Sequence, residues 1–70
     1  MEKGKSYSFS QIEEWANDNQ FNLIELGEST IGKNFIVAEH DHRDLTVSFI
    51  LDGYIPAIGN QYTCIYSDKL

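Results

Sequence analysis

The residues best suited to chemistry lie together in Glu39-His40-Asp41-His42-Arg43-Asp44, which holds both histidines of the chain. Two histidines at i and i+2 on an extended strand share one face, and Asp44 continues that parity. Imidazole and carboxylate are the ligand types that zinc and other borderline metals take. A third ligand from another part of the chain is not identifiable. The segment also bridges two strand-like runs, where a polar turn is expected in any case. No metal and no cofactor is therefore assigned, and the histidines are read as turn residues.

Cys64 is the only cysteine, and with a histidine beside it a thiolate nucleophile is conceivable. Nothing basic and no helix start lies near it in sequence to lower its pKa, so it reads as a small mid-strand hydrophobe. The serines carry no G-x-S-x-G elbow. Gly27 and Gly32 lack the following helix and lysine of a phosphate loop. Glu13 and Glu14 read as first-turn helix residues, where the macrodipole explains paired carboxylates without catalysis. No catalytic residue is assigned, and the chain is expected not to be an enzyme.

These residues sit on one helix and four strands. Ser8 and Ser10 are both followed three residues later by a capping-box partner, Gln11 and Glu13. Phe9, Ile12, Trp15 and Ala16 form an apolar stripe, and Asn17-Asp18-Asn19 stops it, which predicts a helix over 9–18. Strands are predicted at Phe21–Leu26, Asn34–His40, Leu45–Leu51 and Tyr62–Ser67, linked by Gly27–Gly32, by the polar turn at 40–44 and by a connection over 53–61. The predicted fold is a single α+β domain over 1–70, with one N-terminal helix on a four-stranded antiparallel meander in the order α-β-β-β-β.

The strands carry bulky apolar residues on both parities, and one helix can cover one face only. The expected core is Phe35, Val37, Val47, Phe49 and Leu51 with Trp15 and Ile12. Ile24, Leu26, Ile36, Ala38 and Ile50 then form a second face. The 53–61 connection is unusually apolar, with Tyr54, Ile55 and Ile58 around the only proline, Pro56. It either folds back as a lid on the core or projects as an anchor for a partner. The residues expected to contact a partner are Ile24, Ile36, Ile50, Tyr54 and Ile58.

Five basic residues against eleven acidic ones give a net charge of −6. Nucleic acid and anionic membrane surfaces need clustered Lys and Arg, so neither is an expected partner. A partner protein with a basic surface is favoured. The single thiol and the absence of a leader-like or membrane-spanning run point to a cytoplasmic setting.

In size, acidity and helix-then-sheet layout the chain resembles the small accessory proteins of bacterial mobile elements and phages, many of which inhibit a host protein by binding it. The resemblance is one of genre, rests on no motif, and implies binding rather than catalysis. Three functions follow in order of preference. The first is a non-enzymatic interaction module or inhibitor using a sheet face or edge and the 53–61 segment. The second is a self-associating homodimer, and the third a small metal- or ligand-binding domain around His40, His42 and Cys64.

Overall fold

A computed structural model of the chain describes residues 1–28 and 34–68. Its elements are β1 (Ser6–Ser8), α1 (Phe9–Asp18), β2 (Phe21–Glu28), β3 (Asn34–His40), β4 (Thr46–Ile55) and β5 (Gly59–Ser67). The five strands form one sheet in the order β1-β5-β4-β3-β2, antiparallel at every junction. The fold is α+β, with a strand ahead of the helix and five strands where four were expected. Ser6-Tyr7-Ser8 is too short to show alternation, and it becomes a strand only by pairing with Gln61–Thr63 of β5. The Gly27–Gly32 connection lies largely outside the described residues.

Because β1 and β2 occupy opposite edges, the chain between them has to traverse the sheet. A ten-residue helix spans about 15 Å, and four strand spacings span about 19 Å. With its caps, α1 therefore runs from one edge to the other over a single face. Its start is a capping box: the Gln11 amide donates to Ser8 Oγ (3.2 Å), and Gln11 Oε1 accepts from the Ser8 amide (2.9 Å). Of the two candidate caps Ser8 wins, so Glu13 and Glu14 fall beyond the first turn, which holds no acidic residue. Their expected dipole role does not apply. The helix ends as the Asn19 amide and side chain both donate to the Trp15 carbonyl, and Gln20 turns the chain at φ 62°.

Beneath α1 lie Phe21, Ile36, Ala38, Val47, Phe49, Tyr62 and Cys64, which with Ile12 and Ala16 of the helix make the buried core. Trp15 is half-buried; it stacks on Phe21 at 4.5 Å and meets Phe49 edge-on at 6.3 Å. The register sets Ile36 opposite Phe49 and Ala38 opposite Val47. The expected core therefore holds for Val47 and Phe49 but fails for Phe35 and Val37, which point away from the helix. Ile36 and Ala38, expected on the second face, are 2% and 0% exposed and belong to the core.

The 53–61 segment is a hairpin, and not a loose connection. β4 continues to Ile55, and the Ile58 amide donates to the Ile55 carbonyl to close a turn through Pro56 and Ala57. Proline presets φ at the second turn position, and Gly59 takes φ 103°, which glycine adopts without steric cost. Tyr54 and Ile58 are 66% and 62% exposed, so the hairpin does not fold back as a lid.

Candidate functional site

Side chains of opposite parity from the core emerge on the face that α1 leaves uncovered. Cross-strand register places Leu26 beside Phe35 and Phe35 beside Ile50. One step along the strands, Ile24 neighbours Val37, Val37 neighbours Ser48, and Ser48 neighbours Tyr66. The result is an apolar surface across β2, β3 and β4, with Ser48 and Thr63 lying between it and Tyr66 of β5. Ile24, Leu26 and Tyr66 are exposed, and Phe35, Val37 and Ile50 are partly so. Ile65, the extra residue of a bulge between β4 and β5, adds to its margin.

Of the five residues expected to meet a partner, Ile24 and Ile50 lie on this face. Ile36 lies under the helix and is unable to touch a partner in the folded chain. Tyr54 and Ile58 sit at the β4–β5 hairpin end, beyond the part of β4 that pairs with β3. Sequence parity missed Phe35, Val37 and Tyr66, which the register puts on the open face.

Polar groups border the patch. Glu39 stands opposite Asn22 and Thr46 at one corner. At the far corner Asp52, the bulge residue of β4, accepts from the Thr63 hydroxyl (3.2 Å), which is also 3.0 Å from Ser6 Oγ. Along the β5 margin the Tyr66 hydroxyl donates to Asp68 Oδ1 (2.7 Å), while Asp68 Oδ2 accepts from the Thr46 amide (2.9 Å).

Hydrogen bonding to Tyr66 and to the Thr46 amide holds the Asp68 carboxyl below its usual range. The same bond and the Asp68 charge push the Tyr66 hydroxyl above its own. A depressed carboxylate adds stability above the usual aspartate value of about 3.9, and that contribution disappears as pH falls through the lower folded value. The Thr46 amide is therefore expected to lose exchange protection in acid, and Asp68→Asn to remove that pH dependence. Amide exchange followed from pH 6 downward measures both. Unchanged protection of Thr46 in acid would show that Asp68 does not fasten this margin.

The chemical candidates do not assemble. The His40 ring packs edge-on against Phe21 at 5.0 Å, and its Nδ1 accepts from the amides of His42 and Arg43 at 3.0 and 3.1 Å. One ring nitrogen is thus committed to the turn and has no lone pair left for a metal. Among the described residues no group of three or more His, Cys, Asp or Glu side chains is placed to hold an ion.

Cys64 is fully buried and opposes Phe49, with β4 lying between it and the strand that carries His40. Burial pushes its thiol up, away from the thiolate a nucleophile requires. An open cleft of about 210 Å³, lined by Glu25, Leu26, Asn34, Phe35, Ile36 and Tyr62, is smaller than the roughly 300–1,000 Å³ of small-molecule sites. Among the described residues no helix is long and apolar enough to cross a membrane. No protein-family model matches the chain, and neither does any curated protein or solved structure.

Proposed function

We propose that the chain is a non-enzymatic binding module that docks another protein on the open face of its sheet, in the manner of a small inhibitor. The observation that carries this is the continuous surface formed by Ile24, Leu26, Phe35, Val37 and Ile50 on the face opposite α1. Fully burying a side chain of this kind is worth roughly 1.5–3 kcal/mol, and contiguous apolar patches beyond a few hundred Å² are uncommon on soluble monomers. The exposed hairpin end with Tyr54 and Ile58 supplies a second contact. A buried, unpaired thiol suits a reducing compartment such as the cytoplasm.

Affinity capture from lysate of the native host tests the proposal. Wild-type chain retains one partner at near-stoichiometric level, and Val37→Glu and Ile50→Lys both release it while remaining folded. Retention of the same partner by both folded variants would remove the open face from the interaction. A concentration-dependent dimer of the isolated chain, lost in the same variants, would make the partner a second copy.

A further inference from the structure

We propose that the docked protein adds an extended strand to the outer edge of β2, an inference that rests on the docking role assigned to the open face. Among the described strands β2 pairs with β3 alone and ends the sheet. The Asp41 amide donates to the Gln20 carbonyl (2.9 Å), and the His40 amide donates to the Leu45 carbonyl (3.0 Å). Carried along the two registers, these bonds turn the odd-numbered residues of β3 towards β2 and its even-numbered ones towards β4. The main chain at Asn22, Ile24 and Leu26 is thereby bonded to β3, and that at Leu23 and Glu25 points away from the sheet. Among the described residues nothing hydrogen-bonds to those outward groups.

Unpaired amides and carbonyls recurring at every second residue, roughly 6.8 Å apart, match the spacing of another extended main chain. Nothing in residues 21–26 blocks such a chain: the run holds no proline, no lysine and no bulge, the usual guards of an open edge. The opposite edge differs, since β1 has three residues and leads straight into α1. Ile24 and Leu26, at 42% and 47% exposed, are barer than Phe35, Val37 and Ile50 because no described strand lies outside them. A strand added there covers both when its residues on the open-face side are apolar.

A second copy of β2 meets these demands poorly. Two-fold antiparallel pairing that bonds both Leu23 and Glu25 to strand residues centres on Leu23, Ile24 or Glu25. The first register sets Asn22 opposite Ile24, the second sets Asn22 opposite Leu26, and the third sets Glu25 against Glu25. Each copy also carries a net charge of −6. A strand of a different protein, apolar at alternate positions and with no carboxylate opposite Glu25, has none of these mismatches.

The probe is an uncharged, capped peptide of about eight residues that alternates Val with Thr, a common strand length. Its twin, N-methylated at every residue, keeps the side chains and has no amide to donate. Amide exchange of the full chain is followed with and without each peptide. In the free chain the Leu23 and Glu25 amides should exchange about tenfold or more faster than those of Asn22 and Ile24. The peptide should slow Leu23 and Glu25 about tenfold, and the twin should leave them unchanged. Glu25→Pro removes an outward donor that the ladder does not use, so it should stay folded and lose peptide binding about tenfold or more. The exchange readings come from the wild-type chain and stand whether or not this variant folds.

Leu23 and Glu25 amides as slow as that of Ile24 in the dilute free chain would overturn the added strand, because the edge would already be covered. Slowing that sets in as protein concentration rises would overturn it in favour of a second copy. A peptide that leaves both amides exchanging as before, or a twin that slows them equally, would overturn it as well. In capture from host lysate, a partner lost in Val37→Glu but kept by folded Glu25→Pro sinks the added strand and leaves the docking face standing. A partner kept by both Val37→Glu and Ile50→Lys sinks the docking face itself.

Discussion

Ile36→Glu is expected to abolish folding, whereas Val37→Glu, one residue along the chain, should leave the fold intact. The two side chains leave β3 on opposite faces. Ile36 is 2% exposed and stands opposite Phe49 beneath the helix, where a carboxylate would find no partner. Burying an unpaired charge costs several kcal/mol, more than a 70-residue domain has to lose. Val37 lies between Ile24 and Ser48 on the open face, where a carboxylate stays hydrated. Circular dichroism and thermal melting separate the outcomes. A folded Ile36→Glu beside an unfolded Val37→Glu would place the helix on the wrong face.

The second large effect belongs to Phe49. Its ring is fully buried at the centre of the sheet, 6.4 Å from Tyr7 and 6.3 Å from Trp15, edge-on to both. Truncating such a ring costs about 3–5 kcal/mol, through lost transfer energy and the cavity left behind. That is roughly the entire stability expected of a domain this small. Phe49→Ala should therefore populate the unfolded state heavily at 25 °C and show little cooperative transition. Trp15→Ala should cost less than Phe49→Ala, because part of the indole already lies in solvent. A Phe49→Ala chain that melts cooperatively within a few degrees of wild type would show that the core is not organised around this ring.

Local signals in the sequence were strong where they concerned one element. The Ser8–Gln11 capping box and the Phe9-Ile12-Trp15-Ala16 stripe mark the helix with its observed bounds. The second, uncovered apolar face also follows from alternation, since Ile24, Leu26 and Ile50 were assigned to it and emerge there. What alternation leaves undecided is which parity of one strand meets which parity of the next. The turn between β3 and β4 settles it.

His40 and Leu45 are joined by the His40 amide donating to the Leu45 carbonyl, which leaves the four residues Asp41–Asp44 between them. An even-numbered loop pairs even positions with odd ones, so Ile36 faces Phe49 and Phe35 faces Ile50. An odd-numbered loop would have given the core expected from the sequence. The hairpin end was hidden for a different reason. Its exposed Tyr54, Ile55 and Ile58 lack strand-like burial, and Gly53 interrupts the run. β1 was hidden because three residues carry no period.

The central claim is that Ile24 and Ile50 occupy a face open to solvent in the isolated chain while Ile12 and Ile36 lie beneath the helix. Methyl NMR of isoleucine-labelled protein with a soluble gadolinium probe tests this most directly, with the measurement repeated over a range of protein concentrations. Strong broadening of the Ile24 methyl, intermediate broadening of Ile50 and none of Ile12 or Ile36, at every concentration, is the predicted result. Protection of Ile24 and Ile50 equal to that of Ile36 would contradict it.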